Sequence, residues 1–126
     1  MIEKIFILNK EPKVTNYLKE KILESAKKLE ISTKIKTSND TYVKEFPADY
    51  NLFFIHMSDT YDGENLISLK EKNPKLYVVG MTQDIPPTSN AKEVYNSLIE
   101  RGMYDEIIYH FYLEREEIKE ILENIL

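Results

Sequence analysis

The sequence has no cysteine, only three glycines and no long apolar run. Without cysteine the chain has no disulfide, no thiolate nucleophile and no cysteine-ligated zinc site. No glycine follows the first predicted strand, so the glycine-rich phosphate loop of a dinucleotide-binding fold is disfavoured. No stretch approaches the roughly 18 apolar residues of a membrane span, and the N-terminal apolar run is too short for a signal peptide. We therefore expect a cytoplasmic protein that does not contact membranes.

Length and charge narrow the function classes further. A chain of 126 residues is expected to form one domain, residues 1–126, around a single core. Its net charge of −5 argues against nucleic-acid binding by this domain. The charge is uneven, with ten lysines against seven acids in residues 1–46 and seven basic residues against fifteen acids in residues 47–126. This imbalance is typical of solvated helix faces, and it also fits a basic docking surface on the first helix.

Strand and helix patterns alternate along the whole chain. Apolar runs of strand length predict buried strands, and apolar spacings of three and four residues predict helices between them. The predicted strands cover residues 4–8, 32–38, 51–57, 75–81 and 105–111. Parallel strands joined by right-handed crossovers place helices on both faces of a sheet. We therefore predict an α/β fold with a single (βα)5 doubly wound parallel sheet, whose polar second strand and aromatic fifth strand suit the edges of the order 2-1-3-4-5.

Polar and aromatic side chains stand where the predicted strands end. In a parallel sheet these carboxyl ends converge on one edge, which we call the rim, and ligands bind there. The residues that the pattern places at the rim are Asn9, Lys10, Glu11, His56, Thr82 and Tyr109. The sequence contains no nucleophile elbow and no catalytic triad, and its two histidines, His56 and His110, lack a placed carboxylate for a metal site. We therefore predict neither an enzymatic activity nor a set of metal ligands.

Four segments resemble the response-regulator receiver domains of the CheY-like family. The stretch IFILNKEPKV is similar to the family's first strand, its Asp-Asp-Glu-Pro sequence and the start of its first helix. NLFFIHMSDTYDG resembles the third strand with the phosphoacceptor aspartate and the Asp-Gly turn, and LYVVGMT resembles the fourth strand with its terminal threonine. GMYDEIIYHF resembles the segment that reads Gly-Ala-Asp-Asp-Tyr-Ile-x-Lys-Pro-Phe in the family. The resemblance covers the whole chain and implies a CheY-like, flavodoxin-like fold and a role in signal transduction through a two-component system or phosphorelay.

The positions that carry the family's chemistry are occupied by other residue types. The two acids that hold a divalent ion after the first strand correspond to Asn9 and Lys10. The phosphoacceptor aspartate corresponds to His56, and the lysine of the fifth strand corresponds to Tyr109, while Thr82 is retained. The resemblance therefore implies a degenerate phosphorylation pocket, that is, a pseudo-receiver.

The chemistry of this pocket follows from those residue types. Magnesium binds hard oxygen ligands, usually with one or two carboxylates, whereas Asn9 offers one weak carbonyl and only Glu11-Pro12 matches the acidic motif. Two positive unit charges 4 Å apart repel by roughly 4 kcal/mol at an effective dielectric constant of 20. Lys10 therefore opposes the ion, and its ammonium could take the ion's place. We expect magnesium binding to be lost or weak, no other cofactor, and no acyl phosphate at His56.

Two other functions fit the same residues. Asp59, three residues beyond His56, is an alternative acceptor in a functional response regulator, although an aspartate there more often serves a turn. A different class is a small-molecule sensor or enzyme of flavodoxin-like fold. It would bind an anionic ligand at the rim through Lys10, His56, Thr82 and Tyr109.

If the domain is not phosphorylated, its function is expected to depend on surfaces that bind a protein partner. The resemblance implies association, homodimers included, through the face formed by the helix after the fourth strand, the fifth strand and the closing helix. Partly exposed aromatic residues are typical interface anchors. The candidates in this region are Tyr95, Tyr104, Tyr109, Phe111 and Tyr112. The lysine-rich first helix is the alternative docking face.

Overall fold

One parallel sheet organises the protein. The computed structural model describes residues 2–39, 46–57, 63–82, 89–109 and 117–126. Within these residues, five strands form one sheet in the order β2-β1-β3-β4-β5, and all neighbouring pairs are parallel. The strands are β1 (Ile2–Leu8), β2 (Ser32–Ser38), β3 (Leu52–His56), β4 (Tyr77–Thr82) and β5 (Glu106–Tyr109). The predicted α/β sheet and its strand order are confirmed.

Four helices lie along the described part of the chain. They are α1 (Pro12–Lys28), α2 (Gly63–Lys72), α3 (Ser89–Glu100) and α4 (Glu117–Ile125). The (βα)5 pattern has a helix after each strand, and residues 40–45, which come shortly after β2, lie outside the described residues. None of the helices in the described segments is long and apolar enough to cross a membrane.

Alternating side chains of the strands build one apolar layer on each face of the sheet. The buried residues of the α1/α4 layer are Ile5, Ile7, Leu18, Ile22, Leu52, Phe54, Val79, Met81, Ile108, Ile118 and Leu122. Those of the α2/α3 layer are Phe6, Leu8, Tyr50, Phe53, Ile55, Leu66, Leu76, Val78 and Tyr104. Because β1 and β3 contribute to both layers, residues 5–8 and 52–55 are continuous apolar runs instead of alternating ones.

Helix α1 has defined ends and a fixed neighbour. It begins at Pro12, whose missing N–H would have no helical partner in the first turn. Beyond its last turn, the Ile31 N–H donates to the Ala26 carbonyl at 2.8 Å. Lys28 forms an ion pair with Glu123 of α4 at 2.8 Å. These contacts hold the last turn of α1 against α4, at the end of the helix opposite to the rim.

Helix α3 packs on the sheet through a narrow strip. Among its described side chains only Tyr95 and Leu98 are half-buried, and Leu98 packs against the α2/α3 layer. Val94 is 56% exposed and Ile99 is 37% exposed. The chain leaves the helix through Gly102, whose φ of +81° is a left-handed conformation that favours glycine. Val94 and Ile99 therefore lie on the two flanks of the packed strip and expose apolar surface beside it.

A hydrogen bond and an ion pair connect the start of β5 to β4 and α2. The Asp105 carboxylate accepts the Val78 N–H at 2.8 Å and forms an ion pair with Lys70 of α2. In β4, a Cβ at Gly80 would come within 3.0 Å of the Tyr104 ring. Glycine in β4 thus makes room for Tyr104, whose ring fills the core beside the start of β5.

Candidate functional site

The carboxyl ends of the central strands lie side by side at the rim. Leu8 pairs with Ile55 in the register of β1 and β3, and Thr82 pairs with Tyr109 in that of β4 and β5. The chain order reverses between β1 and β3, because β2 lies on one side of β1 and the later strands lie on the other. Such a switch point opens a crevice beyond the strand ends, where ligands bind in this class of fold. Asn9, the first residue after β1, borders this crevice.

Hydrogen bonds fix Asn9 at the start of α1. The residue is fully buried, its N–H donates to the Ser38 carbonyl at 3.1 Å, and its own carbonyl accepts from Asn39 Nδ2 at 2.8 Å. The side-chain Oδ1 accepts the Glu11 N–H at 2.9 Å. This bond assigns the two ends of the carboxamide, because an N–H donor requires the oxygen on that side. The other end, Nδ2, is buried and donates to no described residue.

The next two residues are exposed. Neither Lys10 nor Glu11 forms an ion pair with another residue in the described part of the chain. The Lys10 side chain faces solvent in this structure. Glu11 is the N-cap residue of α1 without a side-chain capping bond, and its carbonyl accepts from Thr15 Oγ1 at 3.3 Å.

His56 ends β3 as an enclosed side chain. It is 6% exposed. It pairs with Met81, a member of the α1/α4 layer, so the register places His56 on the same face of the sheet. The strand β3 therefore ends in a buried imidazole at the rim.

Thr82 ends β4 in contact with α3. Its Oγ1 lies 3.0 Å from the hydroxyl of Tyr95, so the two share a hydrogen bond. Thr82 is buried and Tyr95 is half-buried. The bond connects the rim to the helix that carries the exposed Val94 and Ile99. The sequence had marked Tyr95 as a partner-facing aromatic, and no signal in it predicted the bond to Thr82.

The other predicted interface aromatics stand in different positions. The structure corrects the prediction for Tyr104, which is 2% exposed and belongs to the α2/α3 layer, so it is not available to a partner. Tyr109 ends β5, and its side chain is not described. The residues that lie outside the described part of the chain are Asp59, His110, Phe111 and Tyr112.

The described rim residues are a poor donor set for magnesium. No group of three or more His, Asp or Glu side chains comes together in the part of the chain that the structure describes. Glu11, the acid nearest to Asn9 in sequence, is exposed. The Asn9 Oδ1 already accepts a backbone hydrogen bond. Magnesium prefers octahedral oxygen ligands with at least one carboxylate, and these side chains do not fit that preference.

No protein-family model and no curated protein matches the sequence, but solved structures match the fold. HP1043, an orphan response regulator of H. pylori, aligns with a TM-score of 0.61 and 16% identity over 98% of this chain and 92% of that chain. The response regulator DrrB of Thermotoga maritima, an OmpR/PhoB homolog, aligns with a TM-score of 0.63 and 18% identity over 98% of this chain and 50% of that chain. A CheY-like receiver domain protein of Methanospirillum hungatei JF-1 aligns with a TM-score of 0.56 and 18% identity over 98% of this chain and 96% of that chain.

These likenesses extend over nearly the whole of this chain at low sequence identity. Likeness of that kind establishes a fold and leaves activity to the site residues. This chain has a single parallel sheet in the order 2-1-3-4-5, and a CheY-like receiver domain protein is among the structures that match it. The chain therefore has the receiver fold of response regulators.

Proposed function

We propose that the chain is a degenerate receiver domain that acts in signal transduction by binding proteins, without aspartyl phosphorylation, bound magnesium or enzymatic activity. The observation that carries the proposal is the pair Asn9 and Lys10 at the end of β1. Asn9 is buried with its carboxamide turned to the start of α1, and Lys10 is exposed. In the receiver domains that this chain resembles, two acids at this strand end hold the divalent ion. An amide and an ammonium supply neither the carboxylates nor the negative charge that magnesium needs.

The ends of β3 and β4 support the same proposal. An acyl phosphate forms only on a carboxylate, and β3 ends in the buried imidazole of His56. The hydroxyl of Thr82 is bonded to Tyr95 at 3.0 Å. The Thr82 hydroxyl is therefore engaged by α3. At the end of β3 the described residues offer no carboxylate that could carry a phosphoryl group.

We assign the protein contact to the face formed by α3, β5 and α4, with a homodimer as the form to test first. Val94 and Ile99 are the exposed large apolar residues of α3, one on each flank of its packed strip. Apolar surface that a partner removes from water favours association. The alternative contact is α1, where Leu23 is 46% exposed among lysines. A single cytoplasmic domain spanning residues 1–126 is part of the same proposal.

An amide NMR titration of the whole chain with magnesium tests the loss of ion binding. We expect no saturable shift at Lys10, Glu11, His56 or Thr82. The control is the double variant Asn9→Asp, Lys10→Asp, which restores two acids at the end of β1 and should bind the ion if the fold still supports the site. A saturable shift at these amides in the native chain contradicts the proposal and favours the alternative in which Asp59 is phosphorylated, because that chemistry requires the ion.

A further inference from the structure

Strand β2 forms one edge of the sheet, with β1 on its inner side. The Asn9 N–H donates to the Ser38 carbonyl, so the backbone groups of Ser38 face β1. Successive residues of a strand turn their backbone groups to opposite sides. The groups that face away from β1, and that pair with no other strand within the described residues, are therefore those of Thr33, Ile35 and Thr37. We call these groups the outward edge of β2.

Two lysines lie side by side along this edge. In the register of β1 and β2, Lys36 lies beside Phe6, which belongs to the α2/α3 layer, so Lys34 and Lys36 share that face of the sheet. Both are exposed, and neither is ion-paired with another residue in the described ranges. Two residues along a strand span roughly 7 Å, so the edge has a regular pair of positive charges beside a row of backbone donors and acceptors.

The chain that follows β2 does not cover these lysines. No described helix lies between β2 and β3, and residues 46–51 contain none. In this segment the Phe46 ring packs on Phe6, with ring centroids 6.5 Å apart, and Asp49 forms an ion pair with Lys4 at 3.3 Å. Both contacts are made to β1. The lysines of β2, which lie farther out, stay exposed.

We infer that the outward edge of β2 binds an extended acidic segment of a partner protein, which adds a strand to the sheet. The backbone of that segment pairs with the outward edge, and its carboxylates at alternate positions lie opposite Lys34 and Lys36. A second copy of β2 is a poor occupant, because the strand has two lysines and no acid, and like charges that face each other destabilise strand pairs. This contact is separate from the face formed by α3, β5 and α4, and it requires neither a dimer nor the loss of phosphorylation.

The test is an amide NMR titration of the whole chain with a short capped peptide in which glutamate alternates with valine, at ionic strength held constant with sodium chloride. We expect saturable shifts at Thr33, Ile35 and Thr37, and slower hydrogen exchange of these three N–H groups, because the added strand accepts their hydrogen bonds. A control peptide has the same side chains and N-methylated amides, so it keeps the charge and cannot pair as a strand; it should not bind. Equal binding of the control peptide, the absence of saturable shifts, or shifts spread over the exposed lysines of α1 overturn the inference.

Charge reversal on the protein separates this edge from general charge attraction. The double variant Lys34→Glu, Lys36→Glu should bind the glutamate peptide at least about tenfold more weakly, and it should bind a peptide in which lysine replaces glutamate. Lys19→Glu reverses an exposed lysine of α1 and should leave the affinity for the glutamate peptide unchanged. Unchanged affinity in the double variant, or an equal loss in Lys19→Glu, overturns the inference. Thr37→Pro removes one outward N–H and no bond to β1, so it should weaken binding severalfold while both lysines remain.

Discussion

Asn9 and Lys10 are neighbours with opposite environments, one fully buried and the other exposed. The backbone bond from Asn9 to Ser38 extends the β1–β2 ladder by one residue, and the carboxamide then turns to the first turn of α1. The residue types alone predicted an amide and a cation at the rim. They did not predict which of the two enters the crevice, because that depends on the chain direction between β1 and α1.

Tyr77 and Glu106 form a hydrogen-bonded titratable pair at the end of the sheet opposite to the rim, and their interaction can be tested residue by residue. Burial, together with the Glu106 carboxylate 3.1 Å from the hydroxyl, raises the pKa of Tyr77 to about 12 from an ordinary value of 10.0. Since the folded state holds this proton more tightly, the pair's contribution to stability is complete below pH 10 and is lost as the pH rises towards 12. We expect Glu106→Gln to lower the pKa of Tyr77 in an NMR titration of its ring.

Glu100→Gln is the matched control for that titration, since it removes an exposed acid of α3. It should leave the titration of Tyr77 as it is in the native chain. A pKa of Tyr77 that does not move in Glu106→Gln would refute the assigned role of this carboxylate.

At the scale of elements, the strand order followed from burial patterns that the sequence contains. β3 is apolar up to its last residue, His56, and is buried at every position, whereas β2 alternates and remains largely exposed at the edge. The burial of Tyr104 did not follow from any pattern. It lies between α3 and β5, where no helical or strand period applies, and its place in the core depends on the missing Cβ of Gly80. Tyr95 follows the helical spacing of apolar residues in α3. That spacing predicts the face of the helix on which Tyr95 lies, but it does not predict the hydrogen bond to Thr82.

The bond between Thr82 and Tyr95 should contribute to the docking of α3. Thr82→Val and Tyr95→Phe each remove one partner, and each should lower the free energy of unfolding by about 1 kcal/mol. In a double-mutant cycle the second substitution should add little, because the bond is already lost. Chemical denaturation measures the stability, and faster hydrogen exchange of the α3 amides should accompany the loss. Strictly additive effects would mean that the two hydroxyls are not coupled.

At the scale of the molecule, exposed apolar side chains occur on two separate helices. α3 carries Val94 and Ile99, and α1 carries Leu23 between lysines. The chain is basic in residues 1–46 and acidic beyond them, so the two helices offer partners different electrostatic surroundings. The lysine content of the first helix predicted one docking face, and the resemblance to receiver domains implied the other. Neither could rank the two faces, because exposure of particular side chains depends on how each helix packs.

Measuring the dimerisation of one variant on each helix determines which of the two faces forms the contact. A charge at the centre of an apolar contact is costly, so Val94→Glu should weaken dimerisation at least about tenfold in sedimentation equilibrium. Leu23→Glu, with a comparable exposed apolar residue on α1, should leave it unchanged. If Leu23→Glu weakens the dimer and Val94→Glu does not, the contact lies on α1. If the native chain is monomeric at every concentration, the homodimer is ruled out.

The central claim is that this receiver fold has lost aspartyl phosphorylation, and the mass of the intact chain tests it directly. The native protein is incubated with acetyl phosphate and magnesium, quenched, and measured by mass spectrometry. Because Asn9 and Lys10 follow β1 and β3 ends in His56, we predict an unmodified mass. A species that carries one phosphoryl group, mapped to Asp59 or to any other aspartate, would contradict the account.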